Sequence, residues 1–258
     1  MEVLRVHDEG EARILTLNRP EVRNALSREL RMSLSRQLEA TLGEPSVRAV
    51  VITGAESTFS AGLDLSELKA LARRSSEQNR EDSAQLAELY STVYTFPKPV
   101  IAAVNGHAVG GGAGLATVCD FVVMDEAAKF GYTESRIGFV PALVGVFLSR
   151  QVGERIARRL LLSGELVSSS EALAMGVIDE VCPADRVVSR ALDRAREMLK
   201  NAPGSLSMTK QLLANVRGMG LREGLGYAVE LNALARTSDD FREGIRAFLE
   251  KREPLWNR

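Results

Sequence analysis

Residues 97–120 read PKPVIAAVNGHAVGGGAGLATVCD, and this stretch decides the fold. Pro97 and Pro99 bias the residues before them away from helix, so the apolar run Val100–Val104 reads as a short strand with a sharp entry. Asn105-Gly106 marks a turn, and Gly110-Gly111-Gly112-Ala113-Gly114 forms a glycine cluster. A short helical stretch follows, and FVVM at 121–124 supplies a further strand. Strand, glycine turn, helix and strand in that order predict crossovers of the βαβ type with small layered sheets. An all-helical or all-sheet fold is excluded.

The flanking sequence extends the pattern. Residues 12–17 (ARILTL) and 49–53 (AVVIT) read as strands, separated by a helix with Leu26, Leu30, Leu34 and Leu38 at four-residue spacing. A helical region over 65–94 contains the polar segment ARRSSEQNREDSA just after FSAGLDL, which reads as a surface helix or as a lid over a site. From Ala142 onward the chain is largely helical, with a capping box at Ser168 and Glu171, an amphipathic stretch over 187–199 and a last helix over 240–251. These helices either form a small subdomain or bury their apolar faces on a partner subunit. No internal repeat accompanies the pattern.

Composition narrows the function. In 258 residues, 33 Lys plus Arg balance 34 Asp plus Glu, so no global positive charge draws the chain to nucleic acid or anionic lipid. A small local basic site stays open. Cys119 and Cys182 are too few and too far apart for a disulfide framework or a four-ligand zinc site, and they fit a reducing compartment, the cytoplasm. The start, MEVLRVHDEGEARI, has no apolar core of signal-peptide length, and nowhere do eighteen apolar residues run without a charge. A soluble protein that is not secreted is expected.

Two glycine-containing turns carry the richest chemical signal: Phe59-Ser60-Ala61-Gly62-Leu63-Asp64-Leu65 and the stretch from Gly106 to Gly114. Glycine lets backbone approach a ligand closely, and a following helix offers unpaired amides. Two such amides from separate turns can converge on one carbonyl oxygen as an oxyanion hole. The same turns also serve plain tight packing of helix on sheet, and neither matches a dinucleotide or phosphate-loop fingerprint.

Glu134, in KFGYTESRIGFVP, sits beside apolar residues that can raise a carboxyl pKa by desolvation and fit it for proton transfer; an ion pair with Arg136 is the competing reading. Asp64 and Asp120 read as turn or cap acceptors. His7 and His107 are the only histidines, His107 more structural than catalytic, and metal binding is unsupported. The two cysteines read as core thiols.

Taken in order, VRNAL, FSAGLDL, PKPVIAAVNGHAVGGGAGLATVCD, AKFGYTESRIGFVP, LLLSGELVSSSEALAMGVIDEVCP and FREGIRAFLEKREP resemble the crotonase superfamily, the enoyl-CoA hydratase/isomerase family. The resemblance covers essentially the whole chain. It implies an α/β fold, a crotonase-like spiral of ββα units with a C-terminal helical trimerisation region. The corresponding division is 1–195 for the core and acyl-CoA-binding domain and 196–258 for the helical region, assembled as a homotrimer or a dimer of trimers. It also implies an acyl-CoA thioester as substrate, with CoA part of that substrate and no separate cofactor. Nucleic acid and membrane are not expected partners.

By the same resemblance, the amides of Leu63 and Gly111 stabilise an enolate and Glu134 is the retained catalytic glutamate. Backbone groups around Ala61, Asp64 and Leu65 meet the adenine, and Lys251 approaches phosphate; Lys251 and Arg252 read equally well as solvated helix ends. The chain departs from the family at Gly114, where the well-studied hydratases carry their first glutamate. Hydration of a 2-enoyl-CoA is the leading expectation. A 3,2-enoyl-CoA isomerase working with one glutamate, or a noncatalytic acyl-CoA-binding paralogue, is the alternative. The apolar string 137–144 also departs from the family's glycine-rich version, which favours an alkyl or branched acyl chain, with core packing as the competing account.

Overall fold

The computed structural model describes residues 2–71 and 73–256; the side chains of Leu65, Ser66 and Leu71 lie outside the described residues. An N-terminal hairpin, β1 (Leu4–Glu9) and β2 (Ala12–Leu17), leads into α1 (Arg28–Leu42). There follow β3 (Ala49–Gly54), β4 (Thr58–Ser60), α2 (Leu65–Leu71) and α3 (Ser76–Thr95). Next come β5 (Val100–Val104), β6 (His107–Val109), α4 (Gly111–Thr117), β7 (Phe121–Asp125) and β8 (Lys129–Gly131). A 3-10 turn over Glu134–Ile137 precedes α5 (Ala142–Ser163), β9 (Val167–Ser168), α6 (Ser169–Ala174) and β10 (Glu180–Cys182). The chain ends in α7 (Val187–Met198), α8 (Pro203–Val216), α9 (Leu221–Arg236) and α10 (Asp239–Glu250).

Two sheets form, one ordered β1-β2-β3-β5-β7-β10 and one ordered β4-β6-β8-β9. Each of the pairs β3/β4, β5/β6 and β7/β8 places its first strand in the large sheet and its second in the small one. Repeating that step with parallel neighbours winds the chain into the expected ββα spiral.

The central strands are apolar without a break because both faces of the large sheet are covered. Successive side chains point to opposite faces. Val50, Ile52, Val100, Ala102 and Val104 face the main core with α1 and α3, while Ala49, Val51, Ile101 and Ala103 face α7. The amphipathic stretch predicted over 187–199 is α7, and it lays Val187, Ala191, Leu192, Ala195 and Leu199 on that second face. Each large aliphatic chain so buried contributes roughly 1.5–3 kcal/mol. The capping box predicted at Ser168 forms as read, with Glu171 N–H donating to Ser168 Oγ and Ser168 N–H donating to the Glu171 carboxylate.

Helices α8 and α9 bury no residue fully, and α10 buries only Ala247. Leu221 on α9 and Phe248 on α10 are 82% and 80% exposed. No helix among the described residues is long and apolar enough to cross a membrane.

Candidate active site

The turn after β4 is built by the segment VRNAL. Ala61 N–H donates to Arg23 O at 2.9 Å and Leu26 N–H donates to Gly62 O at 2.7 Å. Asn24 is fully buried in the left-handed region at φ 53°. Its side-chain amide donates to Ala55 O and Thr58 O, and its own carbonyl accepts from Ser60 Oγ. Asparagine tolerates this backbone better than most side chains, so the residue type itself is the signal for this brace, one that motif reading passes over.

Leu63 forms a single parallel bridge with Leu26. Because Leu26 bonds the Gly62 carbonyl, the Leu63 amide stays off that ladder. No acceptor for the Leu63 or Gly111 amide occurs among the described residues. The two turns meet: a Cβ on Gly62, which has φ +92°, would stand 2.7 Å from Val109 O and 3.2 Å from Gly111 N. Both positive φ and close approach therefore demand glycine there. Gly111 opens α4, so its amide is among the unpaired donors of that helix start.

Glu134 comes to the same place from the small-sheet side. A Cβ on Gly110 would stand 3.3 Å from Glu134 Oε1, so the carboxylate lies directly against the second glycine turn. Glu134 Oε2 is buried with no hydrogen-bond partner among the described residues. Among those residues Arg136 forms no ion pair with it, so the competing surface-pair reading is not what the structure adopts. Burial pushes the Glu134 carboxyl above its ordinary value, against a smaller opposing effect of its own backbone amide. A half-buried acid with one unpartnered oxygen, set against the turn that meets the Gly62 turn, is equipped to move a proton near a carbonyl that the Leu63 and Gly111 amides polarise.

Gly114 is occupied ground. A Cβ there would meet Tyr90 Oη at 2.5 Å, and the Tyr90 hydroxyl donates to Gly111 O at 2.7 Å. Tyr90 is not among the sequence candidates, and no local motif marks it. Nearby, the Tyr132 and Thr117 hydroxyls share a 2.6 Å hydrogen bond, with Thr117 donating to Ala113 O.

The other candidates divide. Ala61 and Asp64 lie in the first turn, and Leu65 opens α2 beside them. The Asp64 carboxylate is buried and paired with Arg19 Nη1 at 2.7 Å. Lys251 caps α10 in the left-handed conformation, and no described hydrogen bond or ion pair joins it to the turns. Asp120 accepts from Val100 N–H and pairs with Lys210. His107 Nδ1 accepts from Lys129 N–H at 3.0 Å, a structural use. Ile137 and Val140 are each 67% exposed and Phe139 is exposed beside them, so core packing does not account for these three, whereas Leu143 packs against the core and Val144 enters it. Among the described residues no group of three His, Cys, Asp or Glu comes together to hold a metal ion.

The family model for enoyl-CoA hydratase/isomerase matches residues 9–258, and the chain belongs to that family. It is 49% identical over 247 residues to a Thermus thermophilus protein named "Putative enoyl-CoA hydratase", covering 96% of this chain and 98% of that one. It is 39% identical over 242 residues to the 2,3-dehydroadipyl-CoA hydratase of Escherichia coli, covering 93% of each. Among solved structures, an enoyl-CoA hydratase from Polaromonas sp. JS666 superposes with a TM-score of 0.93 at 34% identity, over 98% of this chain and 99% of that one.

Proposed function

We propose that this protein is an enoyl-CoA hydratase, adding water across the double bond of a 2-enoyl-CoA thioester. The observation that carries the reading is the Glu134 carboxylate set against the Gly110–Gly111 turn, beside the unpaired amides of Leu63 and Gly111. The hydratase names of the relatives support the same reaction.

In this mechanism the thioester oxygen accepts hydrogen bonds from the Leu63 and Gly111 amides, which polarises the conjugated double bond. Glu134 takes a proton from water as the oxygen adds at C3. The electron pair of the double bond moves toward the thioester, and the enolate oxygen rests on the two amides. Protonated Glu134 then returns its proton to C2, giving the 3-hydroxyacyl thioester and restoring the carboxylate. A carboxyl pushed up by burial suits both halves of this cycle. The exposed Ile137, Phe139 and Val140 offer an apolar wall for an alkyl or branched acyl group. Backbone around Ala61, Asp64 and Leu65 receives the adenine, and Lys251 meets phosphate.

Residues 1–195 form the core and acyl-CoA-binding domain, to which Lys251 adds its phosphate contact, and 196–258 form the helical region that assembles the chains, as a trimer or a dimer of trimers. The exposed Leu221, Leu225, Val229, Phe248 and Leu249 support that division, since such a surface favours cover by another subunit. Light scattering that finds a monomer would remove it. Two free cysteines, one buried, accord with a cytoplasmic protein.

Gly114, closed off by Tyr90, leaves one carboxylate in place and keeps the 3,2-enoyl-CoA isomerase reading as the second. A product-resolved assay against matched 2-enoyl-CoA and 3-enoyl-CoA panels, with E134Q alongside, decides between them. Hydration yields 3-hydroxyacyl-CoA from the 2-enoyl panel and is abolished in E134Q. Double-bond migration without water incorporation selects the isomerase, and tight binding without turnover selects a noncatalytic paralogue.

A further inference from the structure

Tyr90 lies on α3, is fully enclosed, and stands edge-on to Phe147 with ring centroids 6.4 Å apart. Nothing about packing alone requires its hydroxyl. A phenylalanine would make the same edge contact, yet the hydroxyl reaches the Gly111 carbonyl at 2.7 Å. A Cβ on Gly114 would stand 2.5 Å from that oxygen, 3.0 Å from Tyr90 Cζ and 3.2 Å from Cε2. Position 114 and Tyr90 are therefore a matched pair, the side chain of one filling the space left by the other.

We propose that Tyr90 is a positioning residue: its hydroxyl pins the Gly111 carbonyl, on the peptide that follows the one carrying the Gly111 amide, and so restrains the turn that aims that amide. Its ring also holds the ground beside Gly114 where a second side chain would otherwise enter. The inference rests on the oxyanion reading of Leu63 and Gly111 given above. Gly111 has no side chain to restrain it, so the orientation of its amide depends on what its neighbouring peptide groups bond. One anchor is α4 itself, through Gly114 N–H to Gly110 O at 2.9 Å. Tyr90 supplies an anchor from a different helix. Burial and the facing Glu134 charge push the phenol well above its ordinary value, so it stays a donor across the working range.

The test is Y90F, which keeps the ring and removes the bond. A misaimed amide weakens the transition state more than substrate binding, so kcat falls about tenfold while KM moves less than about twofold. A second readout uses a 3-oxoacyl-CoA, whose enolate absorbs in the near ultraviolet and mimics the oxyanion. Wild-type protein develops the enolate band, and Y90F develops a weaker one at the same occupancy. If wild type shows no band, the oxyanion reading fails and takes this inference with it. If wild type shows the band and Y90F matches it in band and kcat, only the role of Tyr90 fails.

The space-filling half is read separately from G114A, made once in the wild-type chain and once together with Y90F. The loss in kcat/KM caused by G114A is larger with Tyr90 present than in the Y90F background, because the closest contact is the hydroxyl oxygen. Equal losses in the two backgrounds would overturn it.

Discussion

The two walls of the candidate site are built in opposite ways. On one side the glycine turns are buried, locked by backbone hydrogen bonds and Tyr90, and present main-chain amides. On the other, the 3-10 turn of Glu134 runs into the exposed Gly138, Phe139 and Val140 and presents a single side chain. The first wall is specified by what cannot be added to it, the second by one group that cannot be replaced. Substitutions on the two sides should therefore fail differently.

The largest effect is expected on the Glu134 side and in chemistry alone. E134Q should lower kcat by about 10²–10⁴-fold, the usual contribution of a general acid/base, while the protein folds normally. A mutant that keeps wild-type turnover would move the proton transfer elsewhere. On the glycine side the same size of change should appear in stability. A Cβ at Gly112 would meet Ser60 O at 2.5 Å, a backbone atom with no room to retreat, so G112A should cost about 3 kcal/mol or more in a denaturant melt. Across the site, Gly138 has φ +75° and nothing within 4 Å, so G138A should cost only the left-handed backbone penalty, about 1 kcal/mol. Equal costs for these two alanines would erase the contrast between the walls.

The smallest expected effect sharpens the contrast through pH. Glu134 holds its proton to higher pH in the folded chain than in the unfolded one. Its ionisation therefore lowers stability as pH rises from the ordinary glutamate range through the folded value. E134Q removes that loss, so the variant should melt higher than wild type near neutral pH and lose the advantage in acid. Asp120 and Asp179, also pushed up by burial, titrate in both proteins and cancel in the difference. A mutant that melts lower at neutral pH would show that the carboxylate is held by favourable partners instead.

Much of the fold is legible along the chain because its elements are long or sharply bounded. The strands at 12–17 and 100–104 begin and end as read, and the last helix lies one residue earlier than its predicted 240–251. The small sheet is not legible, since β4, β6, β8 and β9 are two or three residues each and too short to show alternation. In the site, the glycine turns announce themselves by composition, and the choice of Glu134 among the acids rests on family resemblance. Asn24 and Tyr90 act across 31 and 21 residues of chain, to Ala55 and Gly111, distances at which a local pattern carries no information.

The ββα spiral is what the family resemblance implies, whereas the sequence by itself determined the alternation of strand and helix and the two glycine turns. Those follow from backbone preferences and periodicity, which are local. Tertiary structure alone decided that the two turns touch, that the Glu134 carboxylate stands against Gly110, and that Tyr90 fills the space beside Gly114. Each of these is a contact between distant segments, set by how the sheets and helices pack into one core and by nothing in the neighbouring residues.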